Sequence, residues 1–253
     1  MIPLKDENPT SRRAVITLVL IALNIGVYFG VQPDIDSPES NEFTYEHAAI
    51  PCELTTNEPL SPEEITLAFS VGDTTACNEV PESAPVFPEK NVWVAALVSM
   101  FLHGSFMHLA GNMLFLWIFG NNIEDRLGRV GYLVFYVLGG AIATAAHVLV
   151  QPASTIPVVG ASGAIAAVMG AYLMWFPNHR IHTLFFFFFI FFRDISAKWL
   201  LGIWFVMQFT DAFNPNSGVA WGAHVGGFVF GVAAGLLLRP MVLARPRALR
   251  GRY

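Results

Sequence analysis

Charge is what this chain has least of. Only 13% of its 253 residues are Asp, Glu, Lys or Arg, where soluble domains carry about 25%. That scarcity excludes an ordinary water-facing surface. The hydrophobic share, 54%, is gathered into long runs that a soluble fold could not hide. The reading is an all-α polytopic membrane protein. Other absences narrow it. The two cysteines, Cys52 and Cys77, show no zinc-type spacing, and no H-E-x-x-H occurs, so the metalloprotease pattern is missing. No internal repeat is visible, which disfavours a transporter built from paired halves. No signal-peptide cleavage pattern follows the first apolar run, so that run is read as a retained helix.

What is present is six apolar runs, at about 14–32, 93–119, 131–150, 159–176, 197–213 and 219–238. A bilayer crossing takes roughly 17 to 25 residues. A further run, "IHTLFFFFFIFF" at 181–192, is short and bracketed by Arg180, Arg193 and Lys198. It is read as interfacial, not spanning. Residues 33–91 hold 13 of the 19 acidic residues and a single base, Lys90. The other 13 basic residues fall where six spans place them all on one side. The positive-inside rule makes that side the cytoplasm. Residues 1–13 and the basic tail 239–253 are then cytoplasmic, and 33–91 is an outside acidic loop. The tail, "RPRALRGRY", suits anionic lipid headgroups rather than nucleic acid. An oxidising outside compartment permits a Cys52–Cys77 disulfide, with two separate thiols as the alternative.

Polar residues inside membrane helices are costly and ask for a reason. Span two carries "HGSFMHLAGN", with His103, His108 and Asn112; span four opens on "GASGAI", with Ser162; span six carries "GAHVGG", with His224. The six-span topology puts all three near the outer side. Gly163, Ala167 and Ala171 on span four, and Ala223, Gly227, Gly231 and Gly235 on span six, recur every four residues. Such stripes let membrane helices approach closely. If these two faces meet, His224 reaches Ser162. A serine needs a base to become a nucleophile, and histidine titrates near neutral pH. The Ser162 backbone N–H at a helix start, with His108 and Asn112 four apart on one face, could then supply oxyanion donors. Taken singly, each residue has a bland reading. Ser162 fits a small-residue packing patch, the histidines and Asn24 fit helix–helix hydrogen bonds, His147 fits the interface, and Asp211 fits a solvated helix end.

Together, "HGSFMHLAGNMLFLWIFGNNIEDRLG", "GASGAIAAVMGAY" and "AWGAHVGGFVFG" resemble the rhomboid family of intramembrane serine proteases, in the bacterial six-helix form, over about 93–238. The resemblance implies a Ser162–His224 dyad without a carboxylate. His108, Asn112 and the Ser162 backbone N–H would stabilise the oxyanion. Supporting places would belong to His103, Gly160, Gly163 and Gly227. It further implies transmembrane protein substrates, cut after small residues, with no metal and no cofactor, in a bacterial plasma membrane. An inactive, client-binding relative is the alternative. Two positions depart from the pattern. Trp93 lacks the adjacent Arg that many members carry, and Ala166 stands where many have an aromatic ring to stack on the catalytic imidazole. The loop 33–91 is also longer than a minimal member's. The sequence leaves the oligomeric state open.

Overall fold

The computed structural model describes residues 1–77, 83–186, 190–213 and 218–244. Parts of the acidic loop, the phenylalanine run and the loop before the last helix, with most of the basic tail, lie outside the described residues. The chain is mostly helical. Six helical segments occupy the six apolar runs: α1 (Val15–Gly30), the pair described below, α7 (Arg129–Val150), α8 (Ser162–Trp175), α9 (Ala197–Ala212) and α10 (Trp221–Ala244). Among the described residues, α7 and the 221–242 part of α10 are by themselves long and apolar enough to cross a membrane. A bent pair, if taken as one span, would make a third by length and composition. Helix α10 also runs past Arg239 and through Pro240, so the expected tail begins inside a helix.

That bent pair corrects the second expected span. Residues 93–119 do not form one straight helix. A short α5 (Val92–Val98) and a 3-10 turn (Ser99–Phe101) lie at 78° to α6 (Phe106–Leu127). The cause is local. Ser105 adopts an extended backbone and its side chain accepts the His108 backbone N–H at 3.1 Å, capping a new helix. His103 therefore belongs to the connecting turn, and His108 to the first turn of α6.

The acidic loop is a folded cap. Its helices α2 (Pro38–His47), α3 (Pro51–Thr56) and α4 (Pro62–Thr66) each begin on proline, whose missing N–H costs nothing at a helix start. Ser61 and Glu64 form a capping box on α4. Tyr45, Ile50, Cys52 and Leu60 make a small core of their own, and a disulfide joins Cys52 to Cys77. Inside lies a buried ion pair, Lys90 Nζ to Glu53 Oε2 at 2.5 Å. Burial pushes the Glu53 carboxyl up and the Lys90 ammonium down, and their contact opposes both. Lys90 also donates to the Tyr45 carbonyl at 2.6 Å, and Glu53 accepts the Leu60 N–H at 3.1 Å. Trp93 Nε1 donates to Asn57 at 2.8 Å, tying α5 to this cap.

The all-α expectation needs a second correction. At the opposite end of the bundle lies a three-stranded antiparallel sheet of β1 (Ile2–Asp6), β2 (Arg180–Phe186) and β3 (Ile190–Ser196), in that order. The described parts of the short run, 181–186 and 190–192, lie on β2 and β3, which pair antiparallel with His182 opposite Asp194 and their side chains 2.7 Å apart. Phenylalanine and isoleucine suit a pleated surface. Ile181 and Thr183 alternate inward with no exposure, while His182 faces out.

Candidate active site

The site is assembled by the start of α8. Gly160 has φ +119° and its N–H donates to the Ser99 carbonyl at 2.9 Å. A side chain there would be strained and would press within 2.8 Å of the His108 imidazole. Gly160 thus turns the chain into α8 and lets His108 approach. Ser162 opens the helix, where the first N–H groups lack intrahelical partners.

The α8–α10 contact then sets the second group. Both helices run the same way, and the α10 glycines lie in register against the α8 backbone, while the Cβ directions of Gly163 and Ala167 face Ala143 and Gly139 of α7. A side chain on Gly227 would enter the Gly163 carbonyl and one on Gly231 the Ala167 carbonyl, while one on Gly235 would crowd Met174 Cβ at 3.0 Å and the Ala171 backbone at 3.1 Å. Since these obstacles are largely backbone, they cannot move aside. The seam carries His224, in the first turn of α10, to Ser162: its Nε2 is 2.8 Å from Ser162 Oγ.

His108 and Asn112 line the same cavity, of about 920 Å³, with Ser162, His224 and His147. Cap residues Thr74 and Thr75 reach its rim. The cap is tied to the segment ahead of Ser162, through Val158 N–H to the Ala49 carbonyl (2.7 Å) and Thr155 N–H to the Thr74 carbonyl (2.9 Å). Asn112 Nδ2 donates to the His108 carbonyl at 3.0 Å. His108 Nδ1 accepts the Gly104 N–H at 3.4 Å. His103 stands behind, fully buried, its ring edge-on to His108 at 5.1 Å. Gln32 clamps the His103 backbone, donating to its carbonyl at 3.0 Å and accepting its N–H at 2.9 Å. His147 is buried against Gly222 at the head of α10. Asp211 is at the cavity wall.

Two neighbours of His224 escaped sequence reading. Gln208 Oε1 lies 2.6 Å from His224 Nδ1, and the Trp204 ring is tilted against the imidazole at 5.8 Å. Both project from α9, one turn apart. The ring beside the histidine is therefore Trp204, backed by Phe228 at 5.9 Å, while Ala166 is wholly buried. The only signal for Gln208 was an amide within an apolar helix. Among the described residues no three His, Cys, Asp or Glu side chains cluster as metal donors.

Comparison with known proteins supplies the family. Residues 90–241, more than half of the chain, match the model described as "Rhomboid domain". The presenilin-associated rhomboid-like protein, mitochondrial, of Bos taurus is 31% identical over 145 residues, 54% of this chain and 36% of that protein. Rhomboid protein 1, mitochondrial, of Saccharomyces cerevisiae is 32% identical over 153 residues, 56% of this chain and 41% of its own. RHOMBOID-like protein 5 of Arabidopsis thaliana is 32% identical over 144 residues, 56% and 43%. The chain thus spans about two-fifths of the length of the curated relatives it matches. Two of these three are mitochondrial by name, and a bacterial plasma-membrane setting finds no support in them.

Proposed function

This chain belongs to the rhomboid family, and on that premise we propose that it is an intramembrane serine endopeptidase cutting transmembrane segments of other proteins. The observation that carries the proposal is the 2.8 Å contact between Ser162 Oγ and His224 Nε2 at a cavity. Ser162 is the nucleophile. His224 takes its proton as Oγ attacks the scissile carbonyl carbon, then gives that proton to the leaving amine. The acyl-enzyme so formed is opened by a water that His224 deprotonates in turn.

The tetrahedral oxyanion needs donors placed in advance. The Ser162 N–H is the first. His108 is the second. Its Nδ1 accepts the Gly104 N–H, so the neutral ring carries its proton on Nε2, the nitrogen beside Gly160. Asn112 is the third: one amide hydrogen is used on the His108 carbonyl, and the amide has two. His103 supports His108 from behind.

Hydrolysis within a bilayer also needs water. Helix α8 has 14 residues, about 21 Å at ~1.5 Å each, against roughly 30 Å of hydrocarbon. A helix this short leaves at least one end below a membrane surface; in this reading that end is the Ser162 end, and the cavity beneath the cap is the route for water. The charge asymmetry supports an orientation with the cap outside and the sheet end on the cytoplasmic side.

The test is labelling. A fluorophosphonate probe should modify Ser162 in the wild-type protein and fail on Ser162→Ala and His224→Ala. Equal labelling of the His224→Ala protein would remove the histidine as base. No labelling of a folded wild type would favour an inactive, client-binding protein.

A further inference from the structure

The proposed dyad has no carboxylate to hold its histidine, yet His224 is not left to choose its own tautomer. We propose that Gln208 is a positioning residue that fixes the proton of His224 on Nδ1 and so keeps Nε2 as the base toward Ser162. This inference rests on the protease reading above.

One group in this arrangement has no freedom. The Trp204 backbone carbonyl can only accept. Gln208 lies 2.9 Å from it through the atom that must therefore be the amide nitrogen, Nε2. The Gln208 oxygen is then turned the other way, to His224 Nδ1 at 2.6 Å. That oxygen also can only accept. Nδ1 must donate, so in the neutral ring the lone pair is on Nε2, 2.8 Å from Ser162 Oγ. The chain of hydrogen bonds runs one way, from Ser162 Oγ–H through the imidazole to the Gln208 amide and into the α9 backbone.

Geometry adds to tautomer. Gln208 is 7% exposed, and Trp204 and Gln208 are four apart, on one helix face. One supplies a ring beside the imidazole, the other a hydrogen bond in line with it. Together they hold the ring from α9, the side away from Ser162, which answers the absence of an aromatic residue at Ala166. When Nε2 takes the serine proton, the imidazolium keeps a buried acceptor on its other N–H. A neutral amide does this without placing an anion in an apolar bundle, where charge is expensive.

The experiment compares wild type, Gln208→Met, Gln208→Leu and Gln208→Glu in liposomes on a transmembrane substrate, with Ser162→Ala as the reference for no chemistry. Met and Leu keep most of the volume and remove both hydrogen bonds; thermal unfolding identifies which variant is folded. Glu keeps an oxygen acceptor for Nδ1. The folded apolar variant should lose about 10- to 100-fold in kcat, by analogy with the loss of a partner that orients a metal-bound histidine, with KM within about twofold. Its phosphonate labelling rate should fall in parallel. Gln208→Glu should recover most of that kcat. An apolar variant with wild-type kcat overturns the proposal. So does equal loss in the apolar and Glu variants, which would mark a packing role. Activity in Ser162→Ala would instead overturn the protease reading itself.

Discussion

The two ends of α8 are built on opposite plans. At the Ser162 end, polar groups face a cavity of about 920 Å³. At the Tyr172 end, polar groups are closed on one another. The Tyr172 hydroxyl donates to Asp6 Oδ2 at 3.0 Å, and Asn122 Nδ2 donates to the same oxygen at 2.6 Å. Nearby, Glu124 is buried and accepts from Ile16 N–H (2.9 Å), Thr17 N–H (2.8 Å) and Thr17 Oγ (2.8 Å). It caps α1, whose first N–H groups have no helical partner. Asp125 holds Ser11 and Arg12 in the same way. The difference teaches where a membrane protein spends its costly polar groups. One end uses them to fix helix positions; the other leaves them facing a cavity. The glycine seam joins the two, because α8 transmits its position to α10 rigidly.

Four substitutions separate these roles, from the largest effect to the smallest. Gly231→Val drives a side chain into the Ala167 carbonyl, midway between the ends, and should cost about 3 kcal/mol, the upper part of the overpacking range. Folded yield in detergent should collapse and labelling should vanish with it. His108→Ala touches only the open end. It should lower kcat about 10²- to 10³-fold while leaving the unfolding temperature unchanged; a wild-type rate would remove it from the oxyanion site. Glu124→Ala touches only the closed end. It strands buried donors at about 1–3 kcal/mol, and should lower the unfolding temperature while kcat per folded molecule stays the same.

The smallest effect is a pH dependence. Burial raises the Asp6 carboxyl from 3.8 to about 6, against the hydrogen bonds from Tyr172 and Asn122. A carboxyl whose folded value lies above its unfolded one binds more protons in the folded state across that window. Its stabilising share is therefore full below about pH 4 and lost as pH rises through about 6. After solvent screening this is about 1–2 kcal/mol. The unfolding temperature should fall between pH 4 and 7, and Asp6→Asn should remove that part of the slope.

Much of the open end was legible in the sequence because its signals are local. GxSG, the paired span-two polar residues and AHxxG carry their chemistry in residue type and spacing, and the four-residue stripes announce the seam. What escaped depends on contacts distant in the chain. The phenylalanine run was short enough to deny a span, but its strand character needs β1 from the first six residues. Residues 93–119 read as one helix because both halves are apolar; the break lies in Ser105, whose cap is visible only once its hydroxyl faces the His108 N–H. Loop 33–91 read as an acidic connector, since the pairing of Glu53 with Lys90 spans 37 positions. Gln208 carries no charge and no motif, and it gains meaning only when α9 meets α10.

The central claim is that Ser162, activated by His224, cuts a peptide bond within the membrane. The most direct measurement is cleavage of a panel of membrane-anchored substrates by purified wild type and Ser162→Ala in liposomes, with products sized by mass spectrometry. The account predicts a product from at least one substrate with wild type, cut inside its transmembrane segment, and none with Ser162→Ala. The same product from Ser162→Ala at a comparable rate would contradict it.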